Sequence, residues 1–364
     1  MKKIISSSHI IILVVFGLGV NLTPIMVKQV LRLEDLRGKS FAVDANNFLY
    51  QFLSLIRTQD GTPLKDSSGR ITSHLAGLMF RATRLMHDYG MDLVFVFDGK
   101  PPKLKEQEIL KRRELREKAT LEWEKALRMG DYATAFSKAV MTSRLTKPLI
   151  DDAKQLLEFL GIPYIQAPSE AEAQTAYMNV RGDVWASSSK DYDSLLFGTP
   201  RLLRYLTISG TEFLPSKGVA RPLKPELIDL KRLLSHHEIT QKQLIDLAIL
   251  IGTDFNDGIR GIGPKTALQL LKKHSRIEEL PSNVRMKVSE RYEDVRKIFL
   301  EPDVTSNYAL QYGNLREEEL YSFLCDQREF SKKRVETVVQ RMKRFYLTRR
   351  QVGLEEWFVS DSKS

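Results

Sequence analysis

The sequence predicts an α/β fold built on a mixed, mostly parallel central sheet with helices on both faces, and three observations carry that prediction. Short β-branched or aromatic runs (FAVDA, DLVFVFD, DVWASSS) alternate with longer stretches of helical character, as in strand–helix–strand units. Acids stand where those runs, or the tight turns after them, come to an end: Asp44, Asp98, Glu170, Glu172, Asp191, Asp193 and Asp254. Ligands of a parallel sheet gather at its carboxyl edge, so this placement fits the same architecture. Finally, 364 residues with 42% hydrophobic content can bury a large core, in one large or two fused domains.

Taken in order, FAVDA and DLVFVFD read as buried strands, with helices near Asn47–Arg57 and His74–Tyr89 between them. Asp60–Arg70 (DGTPLKDSSGR) is a loop rich in turn residues. From Lys103 to Arg144 the chain is helical and highly charged, and the pairs Glu108/Arg112 and Glu114/Lys118 at i,i+4 support an exposed helix. A helix over Ile150–Leu160 leads through PYIQAPSEAEA into another that ends near Val180. The strands DVWASSS and RLLRYLT follow, then a helix over Gln241–Ile251 and the string GTDFNDGIRGIGPKTALQLLKKH. Glu290–Arg350 reads as helical with mixed charge, and the last six residues as a mostly polar tail. No repeat of fixed period runs through the chain.

A single acid at an element end is usually a solvated surface residue. Seven converging acids would repel one another and raise their own pKa values unless cations neutralised them, so the set implies metal. Glu170/Glu172 and Asp191/Asp193 are spaced i,i+2, which in extended or turn backbone points both carboxylates the same way. No His or Cys lies among these motifs, so the donors are all oxygen: Mg²⁺ or Mn²⁺ suits them and zinc does not. The chain is nevertheless basic, with a formal charge of +10, the balance of a protein that binds a polyanion and holds metal where it acts on it. Cys325 is the only cysteine, which excludes an intramolecular disulfide.

Three further motifs stand out. In IRGIGPKTA, Gly261 and Gly263 allow a tight hairpin and Pro264 suits the first turn of a helix. Exposed N–H groups there, with Lys265, form a phosphate site, which is the helix-hairpin-helix pattern for gripping one DNA strand. In the charged middle, Lys105 and Arg112 lie two helical turns apart on a face without an apolar stripe, which suits a structure spanning single-stranded DNA. Near the end, QVGLEEWF sets Leu354, Trp357 and Phe358 on one apolar face after Gln351, a docking plug or else a terminal helix packed on the body.

These strings resemble the flap endonuclease family of structure-specific 5′ nucleases, and the archaeal members in particular. The resemblance runs from Gly19 to Phe358 through LRGKSFAVDA, YQFL, VFVFDGKPP, LGIPYIQAPSEAEA, KDYDSLLFG and IRGIGPK. It implies a first metal group of Asp98, Glu170 and Glu172 and a second of Asp191, Asp193 and Asp254, with Asp44 acting through water. It implies that Lys105 and Arg112 steady the scissile phosphate from a helical arch over the active site. Tyr50 would stack on an unpaired nucleotide, Arg57 and Arg81 would lie near the cut strand, and Gln351, Leu354, Trp357 and Phe358 would dock on the sliding clamp. The implied domains are an N-terminal nuclease region (19–125), the arch (103–144), an internal nuclease region (145–275) with its helix-hairpin-helix (255–275), a helical C-terminal region (276–348) and a clamp-binding tail (349–364). The implied protein is a cytoplasmic, nucleoid-associated archaeal monomer that cuts 5′ flaps with two Mg²⁺ ions. A junction resolvase, a 5′ exonuclease or a non-catalytic DNA-binding scaffold are the alternatives.

The first eighteen residues are read separately. Lys2 and Lys3 precede the apolar run Ile10–Val20, which resembles a signal-peptide core but is about half the ~20 residues a spanning helix needs. Family members begin Met-Gly, and here Leu18-Gly19-Val20-Asn21-Leu22 stands in that place. Residues 1–18 are therefore expected to be a non-native extension.

Overall fold

The computed structural model describes the backbone of residues 11–12, 19–206, 211–214 and 219–361, and the side chains of 19–206 and 223–349. Apart from Ile11–Ile12, a two-residue strand parallel to Thr211–Leu214, the expected extension 1–18 lies outside the described residues.

The central sheet has seven strands. Their spatial order is Gln29–Val30, Glu226–Asp229, Arg201–Arg204, Ala186–Ser188, Ser40–Asp44, Asp92–Phe97 and Tyr164–Gln166. The last five run parallel, and Glu226–Asp229 is antiparallel to both of its neighbours, so the sheet is mixed and mostly parallel as expected. Side-chain alternation explains why the central strands are apolar throughout. Phe41, Val43, Leu93, Phe95 and Phe97 pack under helices Ala45–Leu55, Ser73–Tyr89 and Lys147–Leu160. Ala42, Val94 and Val96 face the other way, onto helix Ala171–Arg181. A strand buried on both faces has no polar side to present. A separate core around Leu195, Leu202, Ile228 and Leu247 carries helices Leu230–His237, Gln241–Ile251 and Pro264–His274.

The charged middle forms a helical hairpin. Lys103–Lys105 is a 3₁₀ turn, helix Glu106–Arg128 follows, and the chain reverses at Gly130 (φ +72°) into helix Tyr132–Met141. Few residues of the two helices are buried, Ala119 and Ala126 on one and Ala135, Ala139 and Val140 on the other, and Lys138 pairs with Glu122 at 2.5 Å. The outer faces stay charged and solvated. Trp123 anchors the hairpin to the body by donating from Nε1 to the Asp60 carbonyl at 3.0 Å.

One expectation fails. Glu290–Arg350 is not continuously helical, because between helices Tyr292–Leu300 and Glu317–Tyr321 the chain is extended and irregular. Pro302 and a run poor in helix formers stop the helix, and the segment is then held from outside. Gln174 grips the Thr305 backbone in both directions at 2.8 and 2.9 Å, and the Tyr312 hydroxyl meets the Leu93 backbone at 2.6 and 2.9 Å. Helix Lys332–Asp361 closes the chain. Among the described residues, no helix is long and apolar enough to cross a membrane.

Candidate active site

Four neighbouring parallel strands deliver six of the seven acids. Asp44 is the last residue of its strand and the cap of helix Ala45–Leu55, accepting from the Asn47 N–H at 2.9 Å. Asp98 follows Asp92–Phe97, where the chain crosses 167–169 so closely that a Cβ on Gly99 would lie 2.2 Å from the Ala167 carbonyl. Only glycine permits that crossing. It lets Asp98 accept from the Ala171 N–H at 2.7 Å, at the start of the helix that Glu170 precedes as the cap residue and whose first turn holds Glu172. Asp191 and Asp193 follow Ala186–Ser188, and Asp193 accepts from the Val20 N–H at 3.0 Å.

Asp254 comes from a turn instead. After helix Gln241–Ile251, Gly252 adopts φ +100° and Gly258 returns so close that a Cβ would lie 2.2 Å from the Ile251 carbonyl. Asn256 pins this turn through the Ile249 carbonyl at 2.8 Å. All seven acids line one cavity of about 790 Å³, together with Tyr50, Lys105 and Arg112.

The cavity is electrostatically unfinished. Lys105 pairs with Glu170 and, at 3.3 Å, with Asp254, while Arg112 pairs with Asp254 at 2.7 Å and with Glu108 at 2.9 Å. Among the described residues, no ion pair reaches Asp44, Asp98, Glu172, Asp191 or Asp193. Burial pushes Asp44 and Glu172 well above the usual carboxylate range, with Asp98 adding to the first and Asp193 and Asp191 to the second. Burial, then the charges of Asp254 and Asp191, pushes Asp193 up to about 8. Burial pushes Asp191 up to about 6, against the pull of Lys190. Burial works against the Lys105 ammonium, but Glu170, Asp254 and Asp98 outweigh it and hold its pKa above the ordinary lysine value.

This donor set fits hard divalent cations. Buried carboxylates driven towards neutrality by one another gain most from a cation placed between them. Among the described residues no three acids close into a ready-made cage. Asn46 holds Asp98 at 2.7 Å, Asn47 holds Asp191 at 2.8 Å, and Ser189 donates to Glu172 at 3.0 Å. A divalent ion that keeps several of its waters suits such an open arrangement better than one needing a complete protein shell.

The remaining predicted residues divide. Tyr50 lines the cavity from helix Ala45–Leu55. Gly261 (φ +87°) and Gly263 lie open on the far side of the Asp254 turn, with no atom near either Cβ position, and Lys265 is exposed on the first turn of helix Pro264–His274. Arg57 departs from expectation. It is buried, and its guanidinium donates to the Leu53 carbonyl (3.0 Å), the Gly61 carbonyl (2.6 Å) and Ser143 Oγ (2.8 Å). The loop that turns at Gly61 and the chain leaving the helical hairpin close over it, so its charge is used inside the protein. Arg81 is half-buried and donates to the Leu206 carbonyl at 2.9 Å, and burial lowers both arginines to about 10. Neither lines the cavity. Gln351, Leu354, Trp357 and Phe358 fall on the last turns of helix Lys332–Asp361, and their side chains lie outside the described residues.

Comparison with known proteins decides the family. Residues 14–119 match the XPG N-terminal domain and residues 161–254 the XPG I-region. The chain is 48% identical to flap endonuclease 1 of Pyrococcus abyssi, over 94% of this chain and 99% of that protein. The chain belongs to the flap endonuclease family. It is 46% identical to flap endonuclease 1 of Staphylothermus marinus, over 94% of this chain and all of that one. The solved flap endonuclease-1 of Methanococcus jannaschii superposes with a TM-score of 0.72 at 39% identity, covering 91% of this chain and 100% of that one. The catalytic core of Rad2 bound to a DNA substrate shares the fold at a TM-score of 0.64 and 24% identity. This flap endonuclease is thus a structure-specific 5′ nuclease that hydrolyses phosphodiester bonds in DNA replication and repair, and its family depends on divalent metal ions.

Proposed function

We propose that the seven carboxylates hold two divalent ions, Mg²⁺ with Mn²⁺ as substitute, and that the cavity cuts a 5′ flap led to it beneath the helical hairpin 103–144. The observation that carries this reading is five buried or cavity-lining carboxylates that have no ion-pair partner among the described residues, beside two acids neutralised by Lys105 and Arg112. Asp98, Glu170 and Glu172 would hold one ion, Asp191, Asp193 and Asp254 the other, with Asp44 reaching them through water. When bound, such ions would supply a water nucleophile active at neutral pH and would neutralise charge on the leaving oxygen.

Lys105 and Arg112 already sit on Glu170 and Asp254, so a phosphate arriving there meets both cations in a partly dry site. Tyr50 offers a ring for an unpaired nucleotide at the same wall. The open N–H groups at Gly263 and the first turn after Pro264, with Lys265, grip the downstream duplex through phosphates and so ignore sequence. The tail residues Gln351, Leu354, Trp357 and Phe358 dock a monomeric enzyme on the sliding clamp, in the cytoplasm where the nucleoid lies. One experiment tests the reading: flap, nicked and four-way DNA incubated with and without Mg²⁺. Metal-dependent cleavage near the flap junction, with little on the four-way substrate, is expected. Cleavage without metal, or preference for the four-way junction, contradicts it.

A further inference from the structure

We propose that Arg204 is a positioning residue for the Asp191–Asp193 turn, holding that pair of carboxylates in place for metal; the inference rests on the metal reading above. Arg204 ends the strand Arg201–Arg204 and is 7% exposed. Its guanidinium carbon lies over two rings, 4.0 Å from the centroid of Tyr192 and 4.6 Å from that of Tyr205. Nε donates to the Lys190 carbonyl at 2.7 Å, Nη1 to the Tyr192 hydroxyl at 2.5 Å and Nη2 to the Tyr205 hydroxyl at 2.9 Å. Lys190 and Tyr192 flank Asp191, and Tyr192 precedes Asp193, so Arg204 grips the turn between and beside its two acids.

The same guanidinium gathers the chain that covers the turn. Glu226 accepts from Arg204 at 3.3 Å and from Lys28 at 2.5 Å. The Tyr192 hydroxyl lies 3.3 Å from Thr23 Oγ1, and Val20 caps Asp193 through its N–H. The acid turn and two strands therefore meet on one side chain, and residues 20–28 join them through Asp193, Tyr192 and Glu226. Tyr205 adopts φ +62°, a left-handed conformation that bulky side chains avoid, and in it the ring lies against Arg204. Only arginine presents a flat cation that lies against aromatic rings while donating in three directions; lysine keeps the charge and loses the geometry.

The test measures Mn²⁺ binding to the DNA-free protein by electron paramagnetic resonance, and flap affinity in metal-free buffer by anisotropy. The variants are Arg204→Lys, Arg204→Gln and Tyr192→Phe, each assayed below its own melting midpoint, with Asp191→Asn as reference. Residues that orient metal ligands typically change metal affinity by about 10- to 100-fold. Both Arg204 variants are expected to weaken Mn²⁺ binding by about tenfold or more, with flap affinity held within about twofold and no rescue by lysine. Tyr192→Phe, which removes one hydroxyl and keeps the ring, is expected to follow in the same direction even where Arg204→Gln folds poorly. Unchanged Mn²⁺ affinity in the Arg204 variants beside a loss in Asp191→Asn overturns the inference, as does a loss of flap affinity equal to the loss of metal affinity. Unchanged Mn²⁺ affinity in Asp191→Asn itself overturns the metal reading instead.

Discussion

Replacing Lys105 with alanine separates chemistry from binding most sharply. Its side chain is one-sixth exposed and its ammonium pairs with Glu170 and with Asp254 at 3.3 Å, while Arg112 shares Asp254 at 2.7 Å. At an effective dielectric of about 20, a cation 3.3 Å from a phosphate oxygen interacts with it by about 5 kcal/mol. Only the part that grows as charge builds up on the phosphate lowers the barrier. Removing a donor of this kind usually costs about 3–4 kcal/mol, or roughly 10²–10³ in rate. Lys105→Ala is therefore expected to slow single-turnover cleavage by about that factor and to leave flap affinity within about threefold. Arg112→Ala should behave alike. The double variant should lose less than the product of the two, because both cations act on Asp254 and neighbours couple. The assay is rapid-quench cleavage of a labelled flap at saturating enzyme and Mg²⁺, with anisotropy for binding. A rate loss below about tenfold, or a flap affinity that falls as far as the rate, refutes the reasoning.

Lys265→Ala should weaken binding to all flap sequences alike and flatten the dependence of affinity on salt, read by anisotropy titrations at several salt concentrations; a changed sequence preference would contradict the phosphate-grip reading. Replacing Leu354, Trp357 and Phe358 together with alanine should leave cleavage of free flaps unchanged and remove stimulation by the sliding clamp, whereas a marked drop in melting temperature would mean that they pack on the body. His74 is fully buried, and burial, with Arg328 adding, presses its imidazole down to about 3. The unfolded chain then binds a proton that the folded one refuses from about pH 6.5 down to about 3, so stability is lost as pH falls, by about 1.4 kcal/mol per unit. Between pH 7 and pH 5 the native protein should lose about 2 kcal/mol more than His74→Asn in urea unfolding, and equal losses would refute the assignment.

The acids were legible because each closes a segment whose apolar run betrays a strand or whose glycines betray a turn, and position at an element end survives translation from sequence to space. The Gly261–Lys265 hairpin was legible for a similar reason, since its geometry is local. What holds the acids was not. Asn47 reaches Asp191 across 144 positions, Asn46 reaches Asp98 and Ser189 reaches Glu172, and nothing near an asparagine or serine in sequence marks such a partner. Arg204 left a faint trace as a charge ending the apolar RLLR strand, but its role depends on Tyr192, Tyr205 and Glu226 closing around it. Arg57, which the resemblance places near the cut strand, is buried because Gly61 and Ser143 close over it, and nothing local in the sequence marks those partners. The segment after Pro302 was misread as helix because its mixed polarity resembles a solvated helix, while its backbone is held by Gln174.

The claim that the buried acids serve as metal ligands is tested most directly by Asp191→Asn and Asp254→Asn, each removing one charge at nearly constant shape. Cleavage of a 5′ flap at saturating Mg²⁺ and flap affinity are measured on the same preparations. Loss of cleavage to the limit of detection, with affinity retained or tightened, is the predicted result; normal turnover with either substitution would contradict the account.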